Sequence, residues 1–121
     1  MALKILFSKG SRGRSELAEY LLELNKRAAT SKQDKGLLKK IYFHIDLLED
    51  FDTRNDIGKH QVKRLNDELW EIRPGNVRIL FSVQGDTVVL LNYFFKKTDK
   101  TPPKELKKGT RLLKKWREEQ E

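Results

Sequence analysis

Three apolar runs in the second half of the chain, residues 69–73, 77–83 and 87–95, are separated by two turn signals, Pro74-Gly75-Asn76 and Gly85-Asp86. Runs of this kind read as strands, and turns this tight join antiparallel neighbours. The chain is thereby committed to an antiparallel meander. Alternation of side chains along a strand assigns its faces. In residues 77–83, Val77, Ile79, Phe81 and Val83 share one side, while Arg78, Leu80 and Ser82 share the other. In residues 69–73, Leu69, Glu71 and Arg73 point one way, and Trp70 and Ile72 the opposite way. Arg78 therefore projects away from the more apolar set, and Glu71 and Arg73 point together.

Other elements surround the meander. Leu3, Ile5 and Phe7 alternate with their neighbours and predict a short strand. Ser15 is a good N-cap, with Glu16 and Glu19 at the positive end of the helix dipole, and Leu17, Tyr20, Leu21, Leu24 and Ala28 follow at helical spacing. A helix over residues 15–29 is expected, then a polar connection over 30–36. Leu37, Leu38, Ile41, Ile45 and Leu48 write a second helix, which ends before the polar run 52–59. Residues 61–66 predict a further short strand. Beyond a loop over 98–103, stiffened by Pro102-Pro103, the stripe Leu106, Gly109, Leu112, Leu113 and Trp116 predicts a last helix. The order is strand, two helices, three or four strands, helix, an α+β arrangement. The 121 residues suit one domain, spanning 1–121.

Composition removes whole classes of chemistry. With no cysteine, disulfides, iron-sulfur clusters, thiolate zinc and a cysteine nucleophile are excluded, and two histidines, His44 and His60, leave little for a histidine zinc site. The phosphate-loop, dinucleotide, nucleophile-elbow and H-E-x-x-H signatures are all missing, so neither a cofactor nor a metal is expected. The opening apolar run is too short for a signal peptide and no run approaches a membrane span. A cytoplasmic location with no membrane partner is the resulting expectation. The net charge of +8 instead points to an anionic partner. From Lys96 to Arg117 ten basic residues face only Asp99 and Glu105, so this segment equals the whole excess.

Adjacent strands deliver Arg73, Arg78 and, at the end of the last strand, Lys96 and Lys97. Cations fixed on strands bind a phosphodiester and stabilise the charge gathering at a pentavalent phosphorus. Such a set suits metal-free RNA cleavage, in which the substrate's own 2'-hydroxyl is the nucleophile. The plainer alternative makes Arg73 and Arg78 edge-strand solubilising charges paired with Glu71 and Asp67. Trp70 is expected in the core and His44 in a structural role on the border of its helix's apolar stripe.

Three strings carry a resemblance: Leu69-Trp70-Glu71-Ile72-Arg73, then Val77-Arg78-Ile79-Leu80-Phe81, then the apolar strand closing in Phe94-Phe95-Lys96-Lys97-Thr98-Asp99-Lys100-Thr101-Pro102-Pro103. Together, over about residues 62–106, they resemble the HigB-like, phage-derived branch of the RelE/ParE toxin superfamily, while the leading strand and helical hairpin agree in arrangement only. The resemblance implies a small twisted, mainly antiparallel sheet with the N-terminal helical hairpin packed on it and a C-terminal helix. It implies the toxin of a type II toxin-antitoxin system, a ribosome-dependent endoribonuclease that cleaves mRNA. Arg73 and Arg78 then take the places of the phosphate-binding and transition-state arginines. Lys97, with Lys96, stands where the family sets another catalytic cation. Some family members use a tyrosine near the C-terminus, and no tyrosine follows Tyr93 here. Glu71 is left as a base or as the partner of Arg73, and His60, Lys63, Lys96 and Lys100 are the expected RNA contacts. The implied partners are a helix-turn-helix, HigA-like antitoxin, the ribosome with its mRNA, and operator DNA through the antitoxin alone.

Two other readings compete. ParE-type toxins share the fold and inhibit DNA gyrase without cutting RNA, and a non-catalytic module would bind nucleic acid through the basic C-terminal helix alone. The first needs no phosphate-reactive cluster. The second predicts salt-sensitive binding without cleavage.

Overall fold

The computed structural model describes residues 2–10, 12–52 and 62–120. A five-stranded sheet forms its centre, in the order β1-β5-β4-β3-β2. Its strands are β1 (Lys4–Phe7), β2 (Val62–Arg64), β3 (Trp70–Ile72), β4 (Val77–Gln84) and β5 (Thr87–Phe95). The four C-terminal strands form the expected antiparallel meander, and β1 adds to its edge parallel to β5. Gly75 and Gly85, at φ 58° and 63°, occupy the left-handed region that the two tight turns require.

The first helix, α1 (Glu16–Ala28), starts at the expected cap, where the Ser15 hydroxyl accepts from the Ala18 amide at 3.1 Å. The second, α2 (Lys32–Leu47), begins several residues before the apolar stripe announces it. The expected connection over 30–36 shrinks to Thr30 and Ser31, because Ser31 caps the helix by accepting from the Asp34 amide at 3.2 Å. That first turn is polar and lies outside the stripe, so periodicity passes over it.

Each face of the sheet is covered by helix. On one, Leu17, Leu21 and Leu24 of α1 and Leu38, Ile41 and Ile45 of α2 pack with Trp70, Ile72, Val77, Ile79 and Phe81. Trp70 sits in the core as expected, edge-on to Phe51. On the other, Leu113 of α3 (Pro103–Glu119) closes over Leu69, Leu80, Val89 and Leu91. Alternation thus sorts β3 and β4 between two cores as the sequence indicates.

The β5 strand departs from simple alternation. Phe81 pairs with Leu90 but Ile79 with Tyr93, so Leu91 and Asn92 together stand opposite Leu80. Beyond this bulge the parity reverses. Val88, Leu90 and Tyr93 belong to the hairpin side, whereas Leu91 and Phe94 belong to the α3 side. The same irregularity turns the Asn92 amide toward α3, where it donates to the Glu105 carbonyl at 3.1 Å and to Glu105 Oε1 at 3.0 Å. Among the described residues no helix is long and apolar enough to cross a membrane.

Candidate functional site

The register that pairs Ile72 with Ile79 brings Arg73 and Arg78 opposite one another where β3 and β4 enter their turn. Both project to the side away from the helical hairpin, as alternation requires. Arg73 is about a third exposed and is held from behind: its Nε donates to Glu71 Oε1 at 2.9 Å and its Nη2 to the Asp99 carbonyl at 3.4 Å. Arg78 is almost buried. Its Nη1 donates to the carbonyls of Gly75 at 2.8 Å and Val77 at 3.0 Å, which turns the guanidinium across the turn. Those bonds leave Nε and Nη2 of the planar fork for another acceptor.

The electrostatics favour an anion here. Burial, and after it the neighbouring Arg73 charge, hold the Arg78 guanidinium below its usual range, against the pull of Glu71 and Asp99. A cation desolvated beside another cation, with carbonyls rather than a carboxylate as its hydrogen-bond partners, gains from any anion that reaches both. A phosphate bridging Arg73 and Arg78 is such an anion.

Glu71 is the most deeply placed charged side chain of the site, at 1% exposure. Both its oxygens are occupied, Oε1 by Arg73 and Oε2 by the Thr101 hydroxyl at 2.7 Å. Of the two roles the sequence leaves open, this geometry suits orientation of Arg73. Sequence reasoning misses Thr101 as a part of the site. It lies in the Lys-Thr-Pro-Pro run, but a hydroxyl that meets a carboxylate thirty residues away leaves no periodic signal.

The remaining candidates separate into groups. Lys63 pairs with Glu71 across β2 and β3, so it flanks the site on the same face of the sheet. Lys96 closes the far side: its amide donates to the Asn76 carbonyl at 2.8 Å and its ammonium lies 3.2 Å from Asp99. Lys100 is exposed in the loop between Lys96 and Thr101. Lys97 instead lines a cleft of about 300 Å³ beside Phe94, Pro102 and Lys104. Lys96 shares Asp99 with Arg73, meeting its carboxylate while Arg73 meets its carbonyl, whereas Lys97 faces this cleft. His60 lies outside the described residues. His44 serves its helix, its Nδ1 standing 2.8 Å from the Lys40 carbonyl. Asp67, the alternative partner for Arg78, pairs with Arg64 at 3.6 Å.

The α3 helix adds a positive surface. Lys108 pairs with Glu16 at 2.8 Å, Arg117 with Glu68 at 3.2 Å, and Lys115 donates to the Gly10 carbonyl. Lys104, Lys107, Arg111 and Lys114 are exposed at steps of three and four, a single stripe about 15 Å long at 1.5 Å per residue. No group of three or more histidine, aspartate and glutamate side chains that could hold a metal ion occurs among the described residues.

The fold and site define a small α+β protein that presents an arginine pair at a sheet turn and a C-terminal helix with an exposed basic stripe. The chain belongs to the phage-derived Gp49-like protein family (DUF891), whose model matches residues 28–114. This is a RelE/ParE-like toxin family. The match reaches back through α2 and forward through most of α3, well beyond the stretch over 62–106 on which the resemblance rests. No curated protein matches the chain.

Proposed function

We propose that this chain is the toxin of a type II toxin-antitoxin pair, of the HigB-like branch, and that it cleaves mRNA on the ribosome. The observation that carries the reading is the Arg73–Arg78 pair, set across one turn with Glu71 and Thr101 fixing the first arginine and backbone carbonyls fixing the second. A ribonuclease without a nucleophile of its own needs such a fixed cationic cradle. The substrate 2'-oxygen bonds to the adjacent phosphorus as the bond from phosphorus to the 5'-oxygen breaks. The 2'-hydroxyl gives up its proton and the departing 5'-oxygen gains one. A cyclic phosphate and a free 5'-hydroxyl result. The pentavalent phosphorane carries one negative charge more than the diester, and cations already in place stabilise that increment without reorganising.

Lys96 and Lys63 flank the pair and serve as RNA contacts, and Lys100 extends the charge along the loop. The exposed stripe on α3 suits ribosomal RNA, a dense polyanion that attracts such surfaces irrespective of sequence. A toxin of this kind requires neutralisation by a cognate helix-turn-helix antitoxin, through which it reaches operator DNA.

Expression of the chain in a bacterial host, with primer extension on cellular mRNA, tests the reading. New codon-phased 5' ends that disappear with Arg73→Ala support it. Growth arrest with intact mRNA overturns it in favour of a gyrase-directed toxin, and RNA binding without cleavage in favour of a binding module.

A further inference from the structure

On the other side of the Pro74-Gly75-Asn76 turn lies a cleft of about 460 Å³, bounded by the start of α2, by Tyr20 of α1 and by Phe95 at the end of β5. We infer that this cleft is a nucleotide-binding subsite that takes a base and its phosphate from a single-stranded RNA whose next phosphate lies on Arg73 and Arg78. The inference rests on the ribonuclease reading for the neighbouring phosphate on the arginine pair and on the cleft's own chemistry for the ligand.

Three observations converge. The first is aromatic. Tyr20 stacks on Tyr93 with ring centroids 4.5 Å apart, and Phe95 meets Tyr20 edge-on at 5.7 Å. Phe95 nevertheless remains 47% exposed, an unusual state for a phenylalanine already in an aromatic cluster. An open ring beside a polar cleft is the platform on which single-stranded nucleic acids stack a base, irrespective of sequence. The second is charge. Arg27, Lys32 and Lys40 line the cleft with one carboxylate, Asp34, and Arg27 holds that carboxylate at 3.6 Å. Lys32 and Lys40 are exposed, and neither has an ion-pair partner among the described residues. The third is continuity. Gly75 and Asn76 line the cleft, and the same two residues hold the arginine site, since Gly75 accepts from Arg78 and Asn76 accepts from the Lys96 amide. A strand crossing the turn passes from one site to the other over Gly75 and Asn76.

The test uses the full chain and a fluorescein-labelled single-stranded RNA of mixed sequence, with affinity read by fluorescence anisotropy over a series of salt concentrations. Phe95→Ala is expected to weaken binding roughly 5- to 150-fold, the range found for loss of one stacked base. Phe95→Tyr is expected to restore it. Lys32→Gln with Lys40→Gln is expected to reduce the slope of log affinity against log salt by about 0.7 for each phosphate no longer neutralised. Circular dichroism verifies that each variant is folded, and the lysine pair, being exposed, keeps the test decisive if Phe95→Ala is not. Wild-type affinity and slope in all variants overturn the inference, as does absence of RNA binding by the wild-type chain. Retention of RNA binding by cleft variants that lose binding of an acidic peptide overturns it in favour of a protein-docking site. Primer extension separates the two readings. Cleft variants that bind and cleave as wild type sink the subsite and leave the ribonuclease. Cleft variants that lose binding, in a chain whose wild type cleaves nothing, support the subsite and sink the ribonuclease.

Discussion

The Thr101 hydroxyl donates to Glu71 Oε2 at 2.7 Å, tying the loop after β5 to the strand that carries Arg73. A carboxylate at 1% exposure depends on every such bond, because an unsatisfied buried acceptor costs about 1–3 kcal/mol. Thr101→Val keeps the shape and removes the donor. It should lower stability by about 1–2 kcal/mol in urea titration and reduce mRNA cleavage by loosening Arg73, whereas Thr101→Ser should retain both. Cleavage unchanged in a measurably destabilised Thr101→Val would show that the bond serves folding alone.

The arginines themselves separate by what holds them. Arg73→Ala removes a third-exposed cation and with it one of the two bonds to buried Glu71, so it should lower stability as well as reducing cleavage, per unit of folded protein, about 10²- to 10³-fold, the cost of one preorganised transition-state contact. Arg78→Lys is the sharper variant. Lysine keeps the charge but lacks the planar fork that spans the Gly75 and Val77 carbonyls while facing a phosphate. It should lose most of the activity, measured as mRNA ends per unit of folded protein, and full activity in Arg78→Lys would assign the residue a purely electrostatic role.

Much of this site is legible in the amino-acid sequence, and the reason is periodicity. Glu71, Arg73 and Arg78 lie on short strands between tight turns, where parity alone decides which side chains share a face. Lys97 shows the limit. Proximity in sequence to Lys96 suggests one basic cluster, yet one residue along a strand end reverses direction, and Lys97 faces the Pro102 cleft while Lys96 meets Asp99. Thr101 and the β5 bulge are not legible. Each depends on which residues meet across the sheet, and that follows from packing of α3 rather than from any local pattern.

The packing of α3 on the sheet gives a prediction about Gly109. A Cβ built there would lie 3.0 Å from Asn92 Oδ1 and 3.1 Å from Leu80 Cδ2. Leu80 is fully buried and the Asn92 side chain is held by its two bonds to Glu105, so neither neighbour can give way easily. In a free helix, alanine would be better than glycine by about 1 kcal/mol. Here overpacking of about 1–3 kcal/mol should exceed that gain, and Gly109→Ala should lower the Tm. A raised Tm would mean that α3 slides to accommodate the methyl.

The basic stripe on α3 can be separated from the cations that serve the fold. Lys107→Gln with Arg111→Gln should leave stability within about 0.5 kcal/mol, as expected for exposed positions. It should also flatten the salt dependence of binding to ribosomes, by about 0.7–0.9 in slope for each phosphate no longer neutralised. Lys108→Gln breaks the pair with Glu16 and should change that slope less. Equal slopes in all three proteins would remove the stripe from the ribosome-facing surface.

Tyr20 offers a test by pH. Its hydroxyl is buried with no hydrogen-bond partner among the described residues, and burial raises its pKa above the ordinary 10.0, with Tyr93 raised for the same reason. A phenol whose pKa is higher folded than unfolded keeps its proton in the native state while the unfolded chain releases one, so stability is lost as pH rises from about 10 through the folded pKa. Below pH 10 both states hold the proton and the group contributes no pH dependence. Tyr20→Phe removes an unsatisfied polar atom and keeps the stack on Tyr93, so at neutral pH it should be neutral or stabilising, by up to about 1 kcal/mol. Above pH 10 its advantage over wild type should widen in urea titrations. A Tyr20→Phe protein less stable than wild type at neutral pH would show that the hydroxyl has a partner in solution.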